Sequence, residues 1–176
     1  LTGNRDFLLG TDFCQHTGFS LLPEEQVVTL NGERVLLMHG DSLCTDDSAY
    51  IQFRNMVRQP QWQDHVLSLP LVNRRVMAAQ LREQSKSLNA IKAEDIMDVN
   101  QAEVEARLLK WGVKKLIHGH THRPARHDFK LENSDCERWV LGDWDSDLWY
   151  LRITDKFELV STPISSKDSI PQTSTI

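Results

Sequence analysis

The sequence predicts a layered α/β fold, because strand and helix signals alternate early and a run of strand signals follows. Three observations carry that reading. Asn31-Gly32 joins two apolar-patterned runs. A helix with start and stop signals lies between Asn100 and Gly112. Beyond it come short runs rich in β-branched and aromatic residues, broken by polar turns.

Each element has a local cause. Leu1-Thr2-Gly3-Asn4-Arg5-Asp6 reads as the end of a strand entering a polar loop, so a segment is expected ahead of it. Residues 7 to 18 predict a short helix ended by Gly18. Gln26 to Leu30 and Arg34 to Met38 predict a hairpin, since Asn-Gly supplies the positive φ angles of a type I′ turn. Its second strand runs directly into His39-Gly40-Asp41. Thr45 or Asp46 is placed to cap a helix over residues 47 to 58, which Pro60 interrupts. A Trp-containing apolar stretch spans 62 to 72, and a basic helix spans 73 to 87.

Asn100 is the next N-cap, with Glu103 three residues on and Val99 and Val104 set for a hydrophobic staple. Gly112 stops this helix. Val113 to Ile117 then forms a strand feeding His118-Gly119-His120-Thr121-His122-Arg123-Pro124. Further strands are expected at 138 to 141, 148 to 153 and 157 to 160, with a frayed polar tail after Pro163.

The chain has 176 residues, 40% apolar and 26% charged, which suits one packed domain and argues against global disorder. A net charge of -5 argues against a surface built for nucleic acid. No run of about 18 apolar residues occurs, so no membrane span is expected. Cys14, Cys44 and Cys136 have no metal-like spacing. Reduced, at least half-buried thiols in a cytoplasmic setting are the simplest reading.

Three polar clusters share one context. Asn4, His39 and the His120/His122 pair each follow an expected strand, where α/β sheets place ligand sites. Residues 120 and 122 are two apart, so in an extended loop they point to different sides and can serve two metals. Taken singly, His39 reads more often as a hydrogen-bonded structural residue, and an isolated His-x-His reads equally as a pair of solvent histidines. Three histidines between 118 and 122, directly after a strand, shift the balance toward a site.

In chain order, Gly3-Asn4-Arg5-Asp6, His39-Gly40-Asp41 and Gly119-His120-Thr121-His122 resemble the last three motifs of the calcineurin-like metallophosphoesterases. The two earlier motifs of that superfamily, Asp-x-His and Gly-Asp-x-x-Asp, do not occur before Gly3. Many members have His after Gly-Asn, where this chain has Arg5. The runs Asn4 to Leu9, His39 to Asp47, Ile96 to Gln101, Leu116 to Pro124 and Val140 to Trp144 resemble UDP-2,3-diacylglucosamine hydrolases. The likeness covers essentially residues 1 to 155.

The resemblance implies the C-terminal part of a four-layer metallophosphoesterase sandwich, with a helical cap inserted at about residues 46 to 99. It implies Mn²⁺-dependent hydrolysis of UDP-2,3-diacylglucosamine on the cytoplasmic face of the inner membrane. Asn4, His39 and His120 would bind one metal, and His122 the other. Arg5 and His120 would be catalytic. Asn4, Arg5, Asp47, Ser85, Asn89, Lys92 and His120 would contact substrate, and His118 would be structural.

Physical chemistry bears on these roles independently. Imidazole and amide-carbonyl donors suit a borderline-to-hard cation such as Mn²⁺. Two such ions lower the pKa of a shared water and clamp phosphoryl oxygens. Arg5 offers a charged planar fork to a phosphate, or else a surface salt bridge to Asp6. Asp41 either orients His39 or caps the following turn. Between Arg54 and Lys92, seven basic residues face only Asp64 and Glu83, giving this stretch a charge near +5. Such a basic, apolar segment either holds acyl chains beside anionic headgroups or packs as an ordinary helical hairpin. Two other functions stay open: a phosphodiesterase or dinucleoside polyphosphatase with a soluble substrate, and a non-catalytic module with half a metal site.

Overall fold

The structure, a computed structural model, describes residues 1–89 and 96–164, with the side chains of residues 88 and 89 outside the described set. The expected tail beyond Pro163 lies almost wholly outside the described residues.

The hairpin forms as the Asn-Gly signal dictates. Strands β1 (Glu25–Leu30) and β2 (Glu33–Met38) pair antiparallel, with Asn31 at φ 54 and Gly32 at φ 78. Strand β3 (Lys115–His118) lies parallel to β2, and β5 (Ser134–Val140) lies parallel to β3. Strand β4 (Ala125–Leu131) closes the sheet antiparallel to β5, giving the order β1-β2-β3-β5-β4. β6 (Asp147–Ile153) and β7 (Phe157–Pro163) form a separate antiparallel ribbon.

Period-two alternation sorts the sheet's side chains. Leu36, Met38 and Leu116 turn to one face and pack with Val104 and Leu108 of helix α5 (Gln101–Trp111). Val35, Ile117 and Trp139 turn to the other face and meet Leu151, Phe157 and Leu159 of the ribbon. A helix, a mixed sheet and a β-ribbon thus enclose the core. Helix α5 starts and stops where its signals lie. The Asn100 side chain accepts from the N–H groups of Ala102 and Glu103, and Gly112 ends the helix at φ 59.

Several boundaries differ from expectation. Helix α1 covers only Thr11–Thr17, because a turn occupies residues 4–8; Gly18 still ends it at φ 74. Helix α2 (Ser48–Val57) is capped by Asp47, which accepts from Tyr50 N at 3.0 Å, rather than by Thr45 or Asp46. The Asp46 carboxylate is engaged instead by Asn100 Nδ2, at 3.0 and 3.1 Å. Pro60 opens helix α3 (Pro60–Ser68), since its fixed φ suits the first turn. Helix α4 (Leu71–Asn89) starts earlier than the basic run, so the apolar stretch at 62 to 72 is divided between two helices.

Strand β4 was not expected. Its half-buried positions, Ala125, His127, Phe129 and Leu131, alternate with exposed Arg126, Asp128 and Lys130. That charged outer row suits an edge strand, where it deters pairing with another chain. The strand expected at the chain's start is not formed either. Residues 1–3 have no ladder partner among the described residues.

Candidate functional site

The site gathers at the carboxyl ends of the three parallel neighbours β2, β3 and β5. Gly119 N donates to His39 O at 3.0 Å, and Leu141 N donates to His118 O at 2.8 Å. These bonds lace the strand ends, so the loops leaving them start from fixed points.

His39 leaves β2 directly, and His120 lies two residues beyond β3. Their ring centroids are 5.0 Å apart, and the Tyr50 ring of α2 packs on His120 at 5.5 Å. Burial, assisted by the neighbouring His39, pushes His120 down to about pKa 4. Its imidazole is therefore neutral at physiological pH, with a lone pair available to a cation.

The Asn4 loop meets this pair through Gly3. A Cβ on Gly3 would overlap the His39 ring, so glycine is required for the approach. The Asp6 carboxylate accepts from Gly3 N and closes the turn that carries Asn4 and Arg5.

His122 stands farther out, with its side chain 59% exposed and its Nδ1 3.1 Å from Asp143 Oδ2. A carboxylate acceptor places the proton on Nδ1 and leaves the Nε2 lone pair for a ligand. His120 and His122 both hold positive φ, at 68° and 54°. That conformation costs a non-glycine residue about 1–2 kcal/mol.

Asp41 is buried and turns its side chain to neighbours rather than to its own turn. Tyr50 Oη and Arg54 Nε each donate to Oδ2 at 2.9 Å. Its Oδ1 lies 3.1 Å from His39 Nδ1, close but not aligned as a hydrogen bond. Burial alone would raise the Asp41 pKa, but His39, Arg54 and Tyr50 outweigh it and hold the carboxyl well below its usual range. His118 is structural, as expected. Its Nδ1 donates to Gly119 O at 2.9 Å, and its Nε2 accepts from Arg138 Nη1 at 3.2 Å. Burial brings this ring down to about pKa 4, so it stays neutral.

A cavity of about 610 Å³ opens beside the turn that carries Asn4, bounded by Arg5, Phe7, Phe53, Trp62, Leu71 and Ser85. The turn and helices α2, α3 and α4 contribute its walls. Ser85 lines the same cavity as Asn4 and Arg5. Asp47 is buried at the start of α2 as its cap. The Asn89 side chain and Lys92 lie outside the described residues.

Sequence reasoning missed Tyr50 beside the imidazole pair, and counted Arg54 and Arg58 only as charge. Their four-residue spacing, which puts them along one helix face, was the available signal. Among the described residues, no three His, Cys, Asp or Glu side chains gather as a metal cluster. The chain brings His39 and His120 together, with the turn that carries Asn4 packed against His39 through Gly3; imidazole donors have the chemistry of part of a divalent-cation site.

No protein-family model matches the chain. A UDP-2,3-diacylglucosamine hydrolase of Pseudomonas savastanoi pv. phaseolicola is 44% identical over 174 residues, covering 99% of this chain and 68% of that protein. The chain belongs to the UDP-2,3-diacylglucosamine hydrolase family. The hydrolases of that name from Chromohalobacter salexigens and Cellvibrio japonicus are 51% and 52% identical over 154 and 149 residues. Those matches cover 87% and 85% of this chain, which spans 63% and 62% of the two relatives' lengths. The segments around Gly3, His39 and His120 are ones that the fold draws to one place.

Proposed function

We propose that this chain carries part of a Mn²⁺-dependent pyrophosphatase that converts UDP-2,3-diacylglucosamine and water into 2,3-diacylglucosamine 1-phosphate and UMP. The observation that carries the reading is the meeting of His39 and His120, with the Asn4 loop packed against them, in a member of this family.

Asn4, His39 and His120 would hold one Mn²⁺ and His122 the other, with remaining donors supplied from outside the described residues. Bound, the ions would supply a nucleophile at neutral pH and cover for phosphoryl charge. Arg5, exposed at the rim, would lay its guanidinium fork on a phosphate oxygen and orient the pyrophosphate for cleavage. His120 stays neutral, so it adds no positive charge that would repel a cation. Asp47, Ser85, Asn89 and Lys92 complete the proposed substrate contacts.

Helices α2 to α4 act in this proposal as a cap over a four-layer sandwich. The neighbouring cavity is mostly apolar-walled, through residues such as Phe53, Trp62 and Leu71, and takes the acyl chains. Leu71, Val72 and Val76 are 55%, 66% and 55% exposed on a helix that also carries Arg74 and Arg75. That mixture supports a peripheral position on the anionic inner face of the cytoplasmic membrane. Among the described residues, no helix is long and apolar enough to cross a membrane.

The incomplete donor set favours one second reading, in which the protein is a non-catalytic binding module with half a metal site. One assay separates the readings. The full-length protein and this segment are each given Mn²⁺ with acylated UDP-glucosamine or a soluble dinucleotide, and UMP is followed. The proposal expects UMP from the acylated substrate with the full-length protein only. Hydrolysis of the soluble substrate alone would assign a different phosphodiesterase, and no hydrolysis of either would leave the binding module.

A further inference from the structure

The cations of α2 have no part in the chemistry proposed above, yet one of them grips the loop that carries Asn4 and Arg5. We infer that Arg58 is a positioning residue, holding that loop in register with His39. The inference rests on reading Asn4 and Arg5 as site residues.

Arg58 directly follows Val57, which is 2% exposed, so its backbone is anchored in the core. Its guanidinium reaches the loop on both sides of the functional pair. Ahead of Asn4, Nη1 donates to Thr2 Oγ1 at 3.1 Å, and Nη2 donates to Gly3 O at 3.0 Å. After Arg5, the same group lies over the Phe7 ring, 5.3 Å from its centroid. Glu24 Oε1 at 3.5 Å and Asp41 Oδ2 at 3.8 Å flank the charge and fix its direction.

Beyond Arg58, the loop is held by its own bonds to Asp6 and by Phe7, whose ring packs 6.1 Å from that of Trp62. Residues 1–3 join no ladder among the described residues, and residues 4–8 form only a turn. Gly3 touches the His39 ring, so a small drift of the loop changes the distance from Asn4 to the imidazole pair. Arg54, one turn earlier, does for the His39 loop what Arg58 does for the Asn4 loop, through its 2.9 Å bond to Asp41. Glu24 bridges both arginines, at 2.8 and 3.5 Å. One helix face therefore sets the spacing of two site loops. Lysine would not reproduce this, because a point charge lacks the fork that spans two acceptors.

The test compares full-length wild type with Arg58→Ala and Arg58→Lys, by amide hydrogen exchange and by steady-state kinetics on the acylated substrate. In Arg58→Ala, exchange at residues 3–9 should quicken on the order of tenfold, the loss expected for a charge-assisted bond. Exchange in β2, β3 and α5 should stay at wild-type rates. Turnover should fall by a comparable factor with KM changed less, and Arg58→Lys should lie between the two. Unaltered exchange at residues 3–9 would overturn the inference. So would acceleration spread evenly through the sheet, or a loosened loop with wild-type turnover. A wild type without hydrolase activity would sink the functional reading, while the exchange data would still decide whether Arg58 holds the loop.

Discussion

At the scale of single residues, the histidines after β3 divide into two kinds by environment. His118 is enclosed and spends both nitrogens on Gly119 O and Arg138, so it has none left for a ligand. His120 is kept neutral by burial and faces His39 with its ring. Its loss should remove a proposed ligand without opening the core. His120→Ala in the full-length protein is expected to lower turnover by about a thousandfold or more, with stability within about 1–2 kcal/mol of wild type. Substrate hydrolysis and thermal melts on the same sample check this; near-wild-type hydrolysis would remove His120 from the site. His122 offers a sharper contrast. It is exposed and holds φ at 54°, so His122→Gly relieves strain while deleting the imidazole. Stability should stay within about 1 kcal/mol of wild type, because relief of strain offsets the added chain entropy. Activity should be lost, and a variant that kept it would show that this ring is dispensable.

At the scale of elements, the joint between β1 and α5 shows how the site's scaffold is held. Glu25 Oε2 accepts from Lys110 Nζ at 2.6 Å and from Trp111 Nε1 at 2.7 Å. Burial alone would raise the Glu25 pKa, but these partners outweigh it and keep it below its ordinary 4.5. A carboxylate lowered in the folded state stabilises above its unfolded pKa and loses that contribution as pH falls through its folded one. Glu25→Gln should therefore cost about 1–2 kcal/mol at pH 7, with the gap to wild type closing once pH falls well below 4.5. Urea unfolding of both proteins at pH 7 and pH 3 measures it, and a gap that persisted at the lower pH would show that the charge is not its cause.

The elements also differ in how far the sequence disclosed them. The β1–β2 hairpin and α5 were legible because their signals are local: Asn31-Gly32 fixes a turn, and Asn100 with Gly112 bounds a helix. Strand β4 was not, because its pairing with β5 supplies the reason for it and its outer row of charges masks the alternation. The start of the chain reads as the end of a strand, yet residues 1–3 pair with no strand among the described residues.

At the scale of the whole molecule, the parallel run β2-β3-β5 brings His39, His120 and Asp143 to one end of the sheet from positions far apart in sequence. The motifs named three of the loops that meet there, because the chemistry fixes residue types. They did not name Tyr50, Arg54 or Arg58, whose contribution depends on where α2 docks rather than on any string. The account as a whole stands on those loops holding a pair of cations. Titration of the full-length apo-protein with Mn²⁺, read by electron paramagnetic resonance, tests that most directly. Two ions per chain are expected, falling to one or none in His120→Ala and in His39→Ala. Wild-type stoichiometry and affinity in both variants would contradict it.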